Sequence, residues 1–170
     1  GDMMLCFYGT KPYNVAPTIN QSWSDFGNAT DGTVAAGNGT GSMQTRVFYK
    51  EHTGTESNPT ITNTTNNVST AVIVVFSKTA AAWAAMAGAG GGDSTAGTAF
   101  SVTASADPGI TANDMLVAGL STRDDNDITG NTLTATGATL NAFVKYPATD
   151  QFTVLGGDMS MSCGYALCTA

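Results

Sequence analysis

The segment from Met159 to Leu167 repeats with a period of two. Met159, Met161, Cys163, Tyr165 and Leu167 fall on one side, and Ser160, Ser162 and Gly164 on the other. An extended strand sends successive side chains to opposite faces, so the segment reads as a half-buried strand. Residues 43–50 alternate too, with Met43, Val47 and Tyr49 on one face and Arg46 and Lys50 opposite. Residues 3–8, 71–76 and 115–120 are short continuous apolar runs, the pattern of strands buried on both faces. Weaker strand patterns lie near 18–26, 58–64, 98–104, 131–136, 139–146 and 150–155. Turn chemistry separates them at Asp31-Gly32, Asn38-Gly39, Asn58-Pro59, Asp107-Pro108-Gly109, Gly130-Asn131 and Gly156-Gly157. Together these predict an all-β fold, a jelly-roll-like β-sandwich of about eight to ten strands in a single domain over 1–170. The periodicities place Leu5, Phe7, Val47, Tyr49, Ile73, Val75, Leu116, Met161 and Cys163 in the core.

One stretch departs from the strand pattern. Residues 79–89 are Ala-rich around Trp83 and Met86 and suit a short helix or loop, because Ala has the best helix propensity. The Gly-rich run behind them would stop that helix, making 79–112 a connection between two halves. Those halves, 1–78 and 113–170, echo each other. Asp2-Met3-Met4-Leu5 is matched by Asp114-Met115-Leu116-Val117, and each is followed by an alternating strand bearing a tyrosine, Tyr49 or Tyr165. If the halves are copies, the second lacks an equivalent of 58–64 and 71–76.

Composition removes several functions. Charged residues are 11% of the chain and the net charge is −7, with six Lys and Arg spread singly. Nucleic-acid binding needs clustered cations that release counterions, so no such role is expected. No apolar run approaches the ~18 residues that cross a bilayer as a helix, so membrane insertion is not expected either. Apolar content of 42% is too high for a disordered tail, and the polar surface must come from Thr, Ser, Asn and Gly. The three cysteines, Cys6, Cys163 and Cys168, match no zinc spacing and read as buried free thiols.

Catalytic patterns are weak. The lone histidine, His52, sits in a polar stretch that reads as a hairpin turn, and there is no Gly-x-Ser-x-Gly elbow. No pair of carboxylates is singled out by spacing, and the Gly-rich run lacks the Lys-Ser/Thr of a phosphate-binding loop. The chain is therefore expected not to be an enzyme. The sharpest local constellation is Asp125, Asp127 and Thr129 before Gly130, alternate oxygen ligands that resemble the start of a Ca²⁺ loop. Position twelve is Thr136 and not Glu, which excludes an EF-hand; an acidic surface turn is the competing reading. Tyr13, in Lys11-Pro12-Tyr13-Asn14, is the aromatic best placed in a loop to stack on a glycan. Trp23 and Tyr49 are read as core.

The first half runs Gly-Asp and an apolar strand, then Ser22-Trp23-Ser24, a strand ending Val47-Phe48-Tyr49-Lys50, a Thr/Asn-rich strand, and Val72–Phe76. This order resembles the β-sandwich modules of tailed-bacteriophage virion proteins, of the capsid decoration and tail-fibre type. Members often carry Pro-x-Gly-Trp before the second strand, where this chain has Asn20-Gln21-Ser22-Trp23. The resemblance implies a virion structural protein, a capsid decoration or cement subunit on the particle surface. It would bind other virion proteins or copies of itself, and the family supplies no catalytic residues. The alternative is a secreted carbohydrate-binding or adhesion module with a glycan partner. On either reading the chain is extracellular or on the virion surface. The terminal strands, 1–8 and 158–170, are expected to form sheet edges that partners cover.

Overall fold

The computed structural model describes residues 1–11, 16–31, 43–63, 68–79, 82–83, 88, 90–92, 98–99, 101, 109–122, 127–147, 151–153 and 159–170. Among them the fold is all-β, with ten strands: β1 (Met3–Lys11), β2 (Thr18–Ile19), β3 (Ser24–Asp31), β4 (Met43–Glu51), β5 (Ile61–Thr62), β6 (Val68–Phe76), β7 (Met115–Thr122), β8 (Val144–Lys145), β9 (Gln151–Thr153) and β10 (Met159–Leu167). They form three sheets. The first has the order β3-β4-β1-β6, the second β7-β10-β8 with β9 also on β10, and β2 and β5 make a two-stranded ribbon. Every pairing is antiparallel.

The two larger sheets share one core. Met3, Leu5 and Phe7 of β1 and Val74 of β6 pack with Met161 and Cys163 of β10, flanked by Phe26, Val47, Tyr49, Val72, Phe76, Trp83 and Val117. Phe26 stacks on Tyr49 with ring centroids 4.1 Å apart, and Phe76 meets Tyr165 edge-on at 5.4 Å. Glycines let the sheets approach. A Cβ on Gly119 would stand 2.5 Å from the Phe7 ring, and one on Gly9 would stand 2.7 Å from the Ser121 hydroxyl.

Both central strands are buried on both faces. On β1 this agrees with its continuous apolar run, because the opposite face, Cys6 and Tyr8 with Phe48 of β4, lies against Ile19, Trp23 and Ile61 of the ribbon side. On β10 it corrects the half-buried reading. Ser160, Ser162 and Ala166 are buried. Asn131 donates to Ser162 Oγ at 3.0 Å, and Phe143 lies so near Gly164 that a Cβ there would be 2.6 Å from its ring. Small side chains mark a face that another segment approaches closely, and period-two patterning cannot tell that from a wet face.

Three further expectations need correction. Ile73 and Val75 are exposed (42% and 52%), and Val72, Val74 and Phe76 take the inward places. In a continuous apolar run nothing local sets the register, and a one-residue slip exchanges the faces. The pairing of Leu5 with Val74 and of Phe7 with Val72 sets it here. In the same way Val117, not Leu116, packs against the core. Residues 131–136 and 139–143 form no strand. A turn at Gly137 (φ 75°) closes the single bridge Ala135–Ala138, and single bonds such as Thr139 N–H to Ala170 O (2.6 Å) and Asn141 N–H to Leu167 O (2.8 Å) tie the segment to the end of β10.

Lastly, the terminal strands are not edges. β1 is paired on both sides by β4 and β6, and β10 by β7 and by β8 and β9. The expected helix falls mostly on residues outside those described, and Thr79, Ala82, Trp83 and Gly88 are not helical. Of the expected 98–104 strand, the described residues 98, 99 and 101 are not in a strand, and the others lie outside the described set.

Candidate functional site

The outer face of β1 presents Cys6, Tyr8 and Thr10 in alternation, and the β2–β5 ribbon lies beside it. Three bonds close the ribbon end. Asn20 Oδ1 accepts from Thr60 N–H at 2.8 Å, Asn20 N–H donates to Thr60 O at 3.2 Å, and Gln21 Nε2 donates to Asn58 O at 2.8 Å. The turn into β3 needs left-handed backbone at Gln21 and Ser22 (φ 62° and 58°), which aims Trp23 back at the sheet. The Trp23 ring packs against the Cys6, Tyr8 and Phe48 cluster, with its indole N–H buried without an acceptor.

Between the ribbon and β6 runs an open groove of about 500 Å³, lined by Tyr8, Pro59, Ile61, Asn63, Ser69, Thr70 and Ala71. Asn63 anchors its floor by donating to the Tyr8 hydroxyl at 3.1 Å and to Thr10 Oγ1 at 2.9 Å. The groove offers amide, hydroxyl and apolar groups and no charged one, which suits a neutral ligand or a packed surface. Ser69, Ala71, Ile73 and Val75 follow one another along the same exposed face of β6, so the groove runs out into an apolar stripe. Sequence reasoning missed this site, because Asn63 lies in a Thr/Asn-rich stretch where nothing marks one amide from the next.

A compact anion turn follows β4. The Glu56 carboxylate accepts from Thr53 Oγ1 (2.7 Å), Thr53 N–H (2.8 Å), Gly54 N–H (3.1 Å) and Thr55 N–H (3.2 Å). Chiefly the Thr53 hydroxyl, and then its amide, hold the carboxyl down to about 2. His52 is exposed and its Nε2 lies 3.1 Å from Glu56 Oε2. The carboxylate thus orients an imidazole, and the hydroxyl beside the pair, Thr53 Oγ1, donates to the Glu56 carboxylate. Asp114 repeats the device, accepting from Thr111 N–H (2.7 Å) and Thr111 Oγ1 (2.9 Å), which lowers its pKa.

Of the calcium candidates, Asp127 and Thr129 are exposed on either side of buried Ile128, and Asp125 lies outside the described residues. The Ile128 carbonyl accepts from Lys145 Nζ at 3.0 Å, which puts an ammonium where a cation loop would want none. Among the described residues no group of three or more His, Cys, Asp or Glu gathers as a metal site. Tyr13 also lies outside the described residues. The cysteines are free and buried; Cys163 Sγ donates to Tyr146 O at 3.1 Å, and burial pushes the Cys6 thiol up to about 11. Comparison of the chain with family models, with curated proteins and with solved structures found no match.

Proposed function

We propose that this chain is a virion structural protein, a capsid decoration or cement subunit that works by packing against neighbouring subunits on the particle surface. The finer architecture that goes with this reading is a two-layer β-sandwich, jelly-roll-like in having two facing sheets. Its first-half strands fill one sheet and its second-half strands the other, where a jelly roll alternates them. The observation that carries the function is the exposed apolar stripe of Ile73 and Val75 beside an uncharged groove, on a chain with few charges to desolvate. Gradient fractionation of the source material with an antibody to the chain tests this. Co-sedimentation with particles is expected, and its loss in an Ile73→Lys, Val75→Lys variant of unchanged melting temperature. A chain that stays at the top of the gradient overturns the proposal.

The groove favours one alternative, a secreted carbohydrate-binding or adhesion module with a neutral glycan over Tyr8 and Asn63. Glycan-array binding abolished by Asn63→Ala would move the assignment there.

A further inference from the structure

The β2–β5 ribbon is closed against local costs. Gln21 and Ser22, in the turn from β2 to β3, both have left-handed backbone (φ 62° and 58°). Residues with a Cβ are strained there, and Asn or Gly ordinarily fills such positions. The same turn buries the Trp23 indole N–H without an acceptor, which forfeits the bond it would make to water. Little pairing is set against these costs. β2 and β5 share two residue pairs, Thr18 with Thr62 and Ile19 with Ile61, and among the described residues neither joins the larger sheets.

Side chains hold the ribbon to β1 and β4. Ile19, Trp23 and Ile61 pack on Cys6, Tyr8 and Phe48, and Asn63 donates to Tyr8 and Thr10. Lys50 Nζ of β4 donates to Gln21 O at 2.9 Å, so it grips the turn at a strained residue. The same ammonium lies 4.0 Å from Glu56 Oε1. Beneath the ribbon is the face that carries the exposed stripe. Cys6 stands opposite Ile73, Met4 opposite Val75 and Tyr8 opposite Ala71. The outer face of the first sheet is thus covered by the ribbon at Cys6, Tyr8 and Phe48 and exposed at Ile73 and Val75.

We propose that the ribbon, residues 18–23 with 58–63, is a strap that opens as a unit, with Lys50 as its latch. Opening uncovers Cys6, Tyr8 and Phe48 beside Ile73 and Val75. It relaxes both left-handed residues and gives the Trp23 N–H to water. The core between the two larger sheets, on the opposite face of β1, keeps its contacts. Openings of this kind lie below global unfolding in free energy, because they expose only part of the buried surface. The strap's opening is independent of the packing role; where that role holds, it sets how much apolar face a neighbour meets.

Cysteine labelling of the full chain tests this, because two buried thiols report different openings. Cys6 lies under the ribbon and Cys163 in the core between the sheets. While the strap is closed, burial pushes the Cys6 thiol up to about 11 and leaves little thiolate to react. With iodoacetamide, and peptide mass spectrometry to follow each thiol, Cys6 is expected to label about tenfold or more faster than Cys163. Its rate should hardly change with urea below the unfolding transition, whereas that of Cys163 should rise steeply. Lys50→Met keeps the apolar stem, removes the latch and should speed Cys6 about fivefold or more. Val74→Ala, in the core, should speed Cys163 about tenfold or more and leave Cys6 within about twofold. One rate and one urea dependence for both thiols would show that the ribbon opens only when the chain unfolds, and would overturn the proposal. A Cys6 rate that Lys50→Met leaves unmoved would overturn it too. Particle co-sedimentation is read separately, so a failed strap and a failed packing role give different results.

Discussion

Gly119 of β7 lies under the ring of Phe7 of β1, at a place where a Cβ would stand 2.5 Å from Phe7 Cδ1. The sequence of β7 disguises this close approach of the two halves, because a glycine in a strand otherwise only weakens it. Gly119→Ala is expected to destabilise by about 1–3 kcal/mol through overpacking, measured by urea denaturation. Phe7→Leu in the same chain should recover part of the loss, and strict additivity of the two changes would show that they do not touch.

The register of β6 gives opposite effects at adjacent valines. Val74→Ala removes buried methyl groups and should cost about 2 kcal/mol. Val75→Thr, on the exposed face, should stay within about 0.5 kcal/mol. Reversal of the two costs would place the strand one residue out of register.

Ser22 holds a left-handed backbone (φ 58°) in the turn before Trp23. L-residues with a Cβ are strained there and glycine is not, so Ser22→Gly should raise stability by about 0.5–1 kcal/mol. An unchanged or lower melting temperature would mean that the Ser22 side chain compensates for the strain.

Glu56 titrates at about 2 in the folded chain against an ordinary 4.5, held down first by the Thr53 hydroxyl and then by the Thr53 amide. A depressed folded pKa contributes stability that is fully present above 4.5 and is lost as pH falls from there through about 2. The Thr53 and Gly54 amide resonances should therefore move with a midpoint near 2, and Glu56→Gln should abolish the movement. A midpoint near 4.5 would mean that the turn opens in solution.

Calcium is expected to leave the chain unchanged, because Lys145 Nζ already occupies the Ile128 carbonyl between Asp127 and Thr129. Melting curves with calcium and with chelator should superimpose. A rise in melting temperature with calcium that Asp125→Asn and Asp127→Asn abolish would give Asp125, Asp127 and Thr129 the ligand role after all.

The all-β class, the long strands and the inward faces of β4 and β10 were legible in the sequence, because alternation over Met43–Lys50 and Met159–Leu167 is a local property of an extended chain. Tyr49 and Tyr165, the tyrosines of the two alternating strands, stand opposite Leu5 and Val117. What lies across the sheet was not legible. Whether Val74 or Val75 points inward depends on its partner on β1, and whether Ser162 is wet depends on Asn131 coming to lie over it. The edges were decided by topology alone. β1 and β10 sit inside their sheets although nothing in their own residues marks them as inner strands, and among the described residues β7 is paired on one side only. The groove likewise exists only because the β2–β5 ribbon lies beside β1 and brings Asn63 within hydrogen-bond reach of Tyr8 and Thr10, more than fifty residues away in the chain. Local periodicity encodes how a strand divides its side chains between two faces; which face is covered, and by what, is set by non-local contacts that no stretch of the sequence carries by itself.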